Sequence, residues 1–263
     1  MGTVAGEPPE HQLGGLFGSV HEELRRIEQM LQVEGSEARA VEARLLPAWR
    51  RANEGEHRLP MAAVVAVAIA LQMVLPASLV IGPALLLPSL EALLLVGLLT
   101  ANPRRINRTS TVLRLASVGL TVLISLANAW ASEQLIKGLV LGTSADNASL
   151  LLSRGASVYV TNIIVFALWY WEWDRGGPVA RAHAVRRYPD FLFPQMAQPS
   201  VAPPEWRPMV LDYLYVSFTN ATAFSPTDTM PLSRWAKMLM LLQSTVALLT
   251  VAFVIARAIN VLR

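Results

Sequence analysis

Long apolar stretches constrain the fold of this chain more than any other feature of its sequence. Six such stretches lie at about residues 60–75, 84–101, 112–131, 149–171, 209–224 and 235–260. A helix of about 18 or more apolar residues crosses the roughly 30 Å hydrocarbon core of a membrane. Only 16% of the residues are charged, against roughly 25% in an average soluble domain. We therefore predict an all-α, polytopic integral membrane protein, a helical bundle with six transmembrane helices.

The polar segment 1–57 precedes every apolar stretch and is predicted to be helical. Apolar residues from Phe17 to Ala48 recur at alternating spacings of three and four, which is typical of a helix that packs along one face. Glu34 interrupts this pattern and Gly35 lies beside it, where glycine inside a helix costs about 1 kcal/mol relative to alanine. We expect a short cytoplasmic amphipathic helix or a helical hairpin. It packs either on its own membrane domain, residues 58–263, or on another subunit.

Basic residues are distributed unevenly between the predicted loops. If the amino terminus is cytoplasmic and all six stretches cross, 18 of the 22 lysines and arginines lie on the cytoplasmic side. Because loops rich in these residues remain in the cytoplasm, both termini and the proline-rich loop 174–208 are predicted to be cytoplasmic. The connection "SPTDTMP", residues 225–231, is predicted on the opposite side. The expected location is the plasma (inner) membrane of a bacterium.

Several classes of function lack their sequence signals. The chain has no cysteine, no metal-ligand spacing among its four histidines, and no phosphate loop, dinucleotide fingerprint or nucleophile elbow. We therefore expect neither an enzyme nor a metal or cofactor site. The net charge of +3 does not indicate nucleic acid, because the arginines flank apolar segments, where they have a membrane role. The expected partners are the lipid bilayer and, as one alternative, further copies of this chain.

Polar side chains within the apolar stretches are the candidate functional residues, because polar groups in a membrane face protein or water. Glu91 interrupts the second stretch and is either a proton or cation relay or a neutral, hydrogen-bonded glutamic acid. Asp212 begins the fifth stretch and is either part of a pathway or an interfacial residue paired with an arginine. The other candidates are Ser217, Thr219, Asn220, Thr222 and Asp228.

Small polar residues recur every three or four positions along the third and fourth stretches, beginning at Ser117 and Ser149. Residues at this spacing share one face of a helix. Such faces allow two membrane helices to approach closely and to form hydrogen bonds. We therefore predict a hairpin that packs through its two polar faces, with a hydrophilic pathway between the helices as the alternative.

The stretch "TNATAFSPTDTMP", residues 219–231, resembles the pore signature of potassium channels. In that signature a pore helix leads into a threonine-started filter that ends in aspartate and is followed by proline, and Thr222, Asp228 and Pro231 match this pattern. The channel glycines, which give the filter its conformation, are replaced here by "FSPT". The resemblance implies a pore-loop cation channel with a degenerate filter at 222–228, in which residues 209–224 enter the membrane without crossing it.

A wider resemblance covers roughly residues 60–263. The motifs "LPASLVIGPALLLPSLEALL", "LWYWEWDRGGP", "PDFLFPQM" and "FSPTDTMPLSRWAK" resemble those of a group of uncharacterised bacterial multi-pass membrane proteins. This likeness implies a common fold and supplies no activity. Three functions therefore stay open: permeation of a small ion or solute along the fifth and sixth helices, a non-transporting scaffold that binds a partner, and the pore-loop channel. The distribution of charge favours the first.

Overall fold

The computed structural model describes residue 25 and residues 46–101, 104–107, 109–142, 147–222 and 228–261. The chain divides into two units, Met1–Pro47 and Ala48–Arg263. The predicted amino-terminal helix or hairpin lies almost wholly outside the described residues. All that follows concerns the second unit.

Helices make up most of this unit. Within the described residues they are α1 (Arg58–Met73), α2 (Leu86–Ala101), α3 (Thr111–Val140), α4 (Ala148–Trp173), α5 (Pro178–Ala182), α6 (Pro194–Ala197), α7 (Val210–Thr222) and α8 (Arg234–Val261). Three helical segments are long and apolar enough to cross a membrane: Thr111–Val140, Ala148–Gly176 and Arg234–Asn260. Helices α1 and α2 are apolar but shorter. The prediction of a mostly helical fold is confirmed, and three helices of membrane length agree with a membrane protein, whereas six crossings are not confirmed.

Two short antiparallel strand pairs lie at one end of the bundle, which we call the strand end. Strand β1 (Glu56–His57) pairs with β2 (Arg105–Ile106), and β3 (Phe191–Leu192) pairs with β4 (Met230–Pro231). The opposite end, which we call the far end, holds the connections that follow α1 and α3. Leu79 of the first connection belongs there to an apolar cluster with Leu139 of α3. Helices α1 to α4 therefore run alternately away from the strand end and back to it.

Helix α4 is the centre of the bundle and packs against α1, α3, α7 and α8. Its contact with α8 is close at Gly155, where an added Cβ would lie 2.8 Å from a methyl group of Val254. Burial at regular intervals of three or four residues is expected of a helix with a single buried face. The buried residues of α8 follow that spacing: Ala236, Met240, Gln243, Ala247, Thr250, Val254 and Ala258.

Helices α3 and α4 pack against each other as predicted, and side-chain hydrogen bonds join serines of α3 to Glu172 and Trp169 of α4. The Ser117 hydroxyl donates to Glu172 Oε2 at 3.1 Å, and the Trp169 indole N–H donates to Ser125 Oγ at 2.9 Å. Other hydroxyls on these faces donate to backbone carbonyls four residues earlier, as Thr121 and Thr161 do. The hydroxyl groups of these small residues are therefore hydrogen-bonded within their own helix, and their small size lets the neighbouring helix approach closely.

Helix α7 enters the bundle from the strand end. Its first N–H, at Val210, donates to Glu56 Oε1 at 2.6 Å. Further along, Ser217 Oγ donates to the Ile163 carbonyl of α4 at 2.6 Å. Its 13 residues rise about 20 Å at 1.5 Å per residue, which is less than the hydrocarbon thickness of a membrane. It is also shorter than α1 and α2, which have 16 residues each.

After α7 the chain returns to the strand end. Met230 pairs with Leu192, and the Leu232 N–H donates to the Asp190 carbonyl at 2.8 Å. The predicted position of the connection 225–231 on the side opposite to the proline-rich loop is therefore wrong for Met230 and Pro231, whereas a crossing by 209–224 is not confirmed. Backbone pairing between β3 and β4 holds the loop and the connection together.

The proline-rich segment between α4 and α7 is folded into short elements. Pro178 and Pro194 occupy the first positions of α5 and α6, where a missing N–H leaves no helical bond unmade. Phe191 of β3 is fully buried, and its ring centroid lies 5.0 Å from that of Tyr170 and 5.8 Å from that of Trp235. The segment thereby anchors α4 and α8 at the strand end.

Candidate functional site

A buried polar cluster joins α4, α7 and α8 below the strand end; it consists of Tyr170, Ser217, Asn220, Gln243 and Ser244. Gln243 is its centre and is fully buried. Its Oε1 accepts from the Tyr170 hydroxyl at 2.6 Å and from Asn220 Nδ2 at 2.8 Å. Its Nε2 donates to Ser217 Oγ at 2.7 Å and to the Ser217 carbonyl at 2.9 Å. One side chain therefore connects three helices.

The outer members of the cluster are also bonded. Asn220 Nδ2 donates to the Met240 carbonyl at 2.9 Å, and Ser244 Oγ donates to Asn220 Oδ1 at 3.1 Å. An interhelical hydrogen bond in a membrane contributes about 0.6 kcal/mol on average. Several of them together fix the depth and rotation of α7, because Ser217 and Asn220 both lie on that helix.

The structure thus brings together two of the predicted site residues, Ser217 and Asn220. Both face protein, and each forms hydrogen bonds with Gln243 and with a backbone carbonyl of a neighbouring helix. Sequence reasoning missed Tyr170 and Gln243, their main partners. A signal was present for Gln243, because a glutamine within an apolar helix has to find hydrogen-bond partners.

The two threonines of α7 bond within their own helix. Thr219 Oγ1 donates to the Tyr215 carbonyl at 2.9 Å, and Thr222 Oγ1 donates to the Phe218 carbonyl at 3.0 Å. Thr222 is the last residue of the helix. Asp228 is exposed on the returning chain, just before β4.

Asp212 caps the helix in which it lies. Its Oδ2 accepts the Met209 N–H at 2.7 Å at the start of α7. A carboxylate is favoured there, because the first N–H groups of a helix lack intrahelical acceptors. Within the described part of the chain none of the ion pairs includes Asp212, so the predicted arginine partner is not observed.

Glu91 lies apart from the other candidates, between α2 and α1. It is fully buried, and its Oε2 accepts from Gln72 Nε2 at 3.1 Å. Among the described residues Oε1 has no hydrogen-bond partner. A buried oxygen without a partner is unfavourable for an ionised carboxylate. The hydrogen bond of Glu91 is to Gln72 of α1, so Glu91 is not part of the buried polar cluster.

Asp174 and Asp190 each accept a backbone hydrogen bond from the segment that carries the other aspartate. Asp174 Oδ1 accepts the N–H of Asp190 at 2.8 Å, and Asp190 Oδ2 accepts the N–H of Arg175 at 2.9 Å. The second carboxylate oxygen of each aspartate accepts a hydrogen bond from a side chain of another helix. Asp174 Oδ2 accepts the Tyr213 hydroxyl of α7 at 2.6 Å, and Asp190 Oδ1 accepts the Trp235 indole N–H of α8 at 2.9 Å. The pair therefore holds the ends of α4, α7 and α8 together.

Glu56 is a second buried carboxyl group at the strand end. Its Oε2 accepts the Trp171 indole N–H at 2.7 Å, while Oε1 accepts the first N–H of α7. Burial raises the pKa of the Glu56 carboxyl above its ordinary value, although Arg181 and the two donors oppose the shift. Sequence reasoning did not single out Glu56, because it lies outside the apolar stretches.

Comparison with protein-family models, with curated proteins and with solved structures finds no match. Within the described ranges no three histidine, aspartate or glutamate side chains are grouped so that they could hold a metal ion. The geometry itself defines the class: a helical protein with three membrane-length helices and a helix, α7, that enters at the end to which the chain then returns.

Proposed function

We propose that this protein is a multi-pass membrane protein that conducts a small cation through a pore-loop unit formed by α4, α7 and α8. The pairing of β3 with β4 carries the proposal, because it brings the chain back to the end at which α7 begins. In this unit α4, which is long enough to cross a membrane, is followed by the 13-residue helix α7 and then by α8, which is again long enough to cross. That order agrees with the resemblance of residues 219–231 to a potassium-channel pore.

The polarity of α7 supports a cation as the solute. The helix points its carboxyl-terminal end, Thr222, into the bundle. The carboxyl end of a helix carries a partial negative charge, which favours a cation nearby. The proposed pathway therefore includes Thr222 and Asp228, and the buried polar cluster serves to hold α7 at its depth. A complete pore of this type requires several copies of the chain around one axis, so we propose a homo-oligomer.

Charge supports one orientation of the bundle. Lys137, Arg154 and Arg257 lie toward the far end, and the other basic residues described from Ala48 onward lie toward the strand end. The positive-inside rule then favours a cytoplasmic strand end. We propose five crossings, by α1 to α4 and α8, with α7 entering from the cytoplasm. The carboxyl terminus would then lie outside, since Arg257 of α8 donates to the Gly142 carbonyl at the far end.

A non-transporting scaffold is the second candidate function. It is favoured by the buried polar cluster, in which the amide and hydroxyl groups bond to each other and to the backbone. A scaffold would use the same contacts for rigidity alone. It would also bind its partner through surfaces that conduction does not need.

Cation flux from proteoliposomes tests the proposal. Thr222→Val and Thr219→Val each remove one hydroxyl that donates to the carbonyl four residues earlier. Their effects on stability should therefore match, whereas only Thr222 lies at the end of α7. We expect potassium or sodium flux from the natural protein, a several-fold reduction by Thr222→Val, and little change with Thr219→Val. Tight vesicles at high protein density would exclude conduction and favour the scaffold.

A further inference from the structure

A cleft of about 450 Å³ opens at the strand end between the first turn of α3, the last turn of α4 and helix α5. This volume lies within the range of about 300 to 1,000 Å³ that is typical of sites for small ligands. Much of its wall is apolar and is formed by Ile106, Leu113, Trp171, Val179 and Val185. The cleft is separate from the buried polar cluster and from the proposed pathway.

Two arginines and one carboxyl group supply the charge of this cleft. Arg58 is 3% exposed and donates to the Leu98 carbonyl, while Arg114 is exposed at the rim. Glu172 is also 3% exposed, accepts a hydrogen bond from Ser117, and interacts electrostatically with both arginines. Two guanidinium groups outweigh one carboxylate, so the lining as a whole favours an anion.

The rim of the cleft coincides with the start of the lipid-facing surface. Arg114 lies in the first turn of α3, and its neighbours Val112 and Leu115 are 74% and 66% exposed. In a helix of membrane length such apolar side chains contact acyl chains. An arginine beside them reaches the level of the headgroups, because its long stem lies along apolar surface while its charge remains in the polar layer.

We propose that this cleft binds the phosphate of an anionic phospholipid headgroup. Guanidinium groups suit phosphate because they donate two parallel hydrogen bonds to its oxygens. The apolar wall, including Leu113 and Val185, receives the first methylenes of the lipid. A soluble phosphate compound has the same anionic group but gains nothing from that wall. Excess arginine at the strand end agrees with the anionic lipids of the cytoplasmic leaflet.

Lipid-dependent thermal stability tests this site on the purified full-length protein in neutral detergent. Tryptophan fluorescence would follow unfolding during titration with short-chain phosphatidylglycerol, short-chain phosphatidylcholine or inorganic phosphate. A ligand that binds the folded state raises the unfolding temperature in a saturable manner. We expect this response with phosphatidylglycerol only. Equal stabilisation by phosphatidylcholine would overturn the proposal, and so would reproduction of the whole effect by inorganic phosphate.

Matched variants locate the effect. Arg114→Gln should weaken the response to phosphatidylglycerol by about tenfold or more, because it removes the charged donor at the rim. Arg187→Gln removes an exposed arginine that does not line the cleft and should leave the response unchanged. Ala180→Phe fills the cleft without a change of charge and should abolish the response. Equal losses with Arg114→Gln and Arg187→Gln would show general surface attraction and would reject the site.

Discussion

Asp174 and Asp190 each accept a backbone N–H from the other's segment, Asp190 N–H to Asp174 Oδ1 at 2.8 Å and Arg175 N–H to Asp190 Oδ2 at 2.9 Å. This reciprocal pair closes the proline-rich loop at the end of α4. Since the second oxygens of the pair accept from Tyr213 and Trp235, the loop closure also fixes where α7 and α8 begin.

Loss of the Asp190 carboxylate should destabilise the protein. Asp190→Ala leaves the Arg175 N–H and the Trp235 indole N–H without their acceptor, and each buried donor left unpaired costs about 1 to 3 kcal/mol. We expect a loss of about 2 to 5 kcal/mol in the free energy of unfolding, measured in detergent. Asp228→Ala is the control, because exposed Asp228 should change stability by no more than about 0.5 kcal/mol. Equal losses in the two variants would contradict this role.

Gln243→Leu tests the centre of the buried polar cluster. The substitution keeps an apolar side chain of similar size but removes the acceptor of Tyr170 and the donor to Ser217. We expect a loss of about 1 to 3 kcal/mol in the free energy of unfolding. Thr245→Val, on the exposed face of the same helix, should have little effect. Tyr170→Phe should cost less than Gln243→Leu, since it breaks a single bond; the reverse order would argue against a central Gln243.

The close contact of α4 with α8 predicts a rescue experiment. Gly155→Ala places a Cβ 2.8 Å from a Val254 methyl group and should cost about 1 to 3 kcal/mol. Val254→Ala in the same chain should restore part of that loss. By contrast, Gly119→Ala meets nothing within 4 Å and should stabilise α3 by up to about 1 kcal/mol, because alanine favours helix over glycine. Additive losses in the double variant would contradict the contact.

Glu56 should make stability depend on pH. Its pKa is raised in the folded protein, so the protonated form is favoured there, and the advantage is complete below the unfolded pKa of about 4.5. The advantage is lost as the pH rises through the raised folded pKa. The stability of the natural protein relative to Glu56→Gln should therefore fall as the pH increases above about 4.5. A difference that is constant with pH, in thermal unfolding from pH 4 to 8, would contradict the shift.

Much of the helical framework could be predicted because it depends on local composition. The predicted stretch 149–171 corresponds to the helix Ala148–Trp173, and the predicted stretch 235–260 corresponds to the helix Arg234–Val261. The sequence predicts that the third helix ends near residue 131, but α3 continues to Val140. Polar residues between 132 and 140 lower the hydropathy of this part without breaking the helix. Glu133 and Lys137 form an i,i+4 ion pair of 2.6 Å in that extension.

The return of the chain after α7 could not be predicted from local patterns. It depends on Leu192 meeting Met230 through backbone hydrogen bonds, and backbone pairing between two-residue strands has no characteristic sequence. The positive-inside rule takes residues 209–224 as a crossing and therefore places the connection 225–231 on the side opposite to the proline-rich loop. Asp174 follows an aromatic run that is typical of the headgroup region, and Asp190 has no distinguishing sequence signal, although these two aspartates hold the return in place.

The path of α7 is tested most directly by cysteine labelling in sealed membrane vesicles, since the chain has no native cysteine. Single cysteines at exposed Tyr188, Asp228 and Leu141 report on the proline-rich loop, the returning chain and the far end. We predict that a membrane-impermeant maleimide labels positions 188 and 228 from the same side and position 141 from the other. Labelling of 188 and 228 from opposite sides would contradict a re-entrant α7.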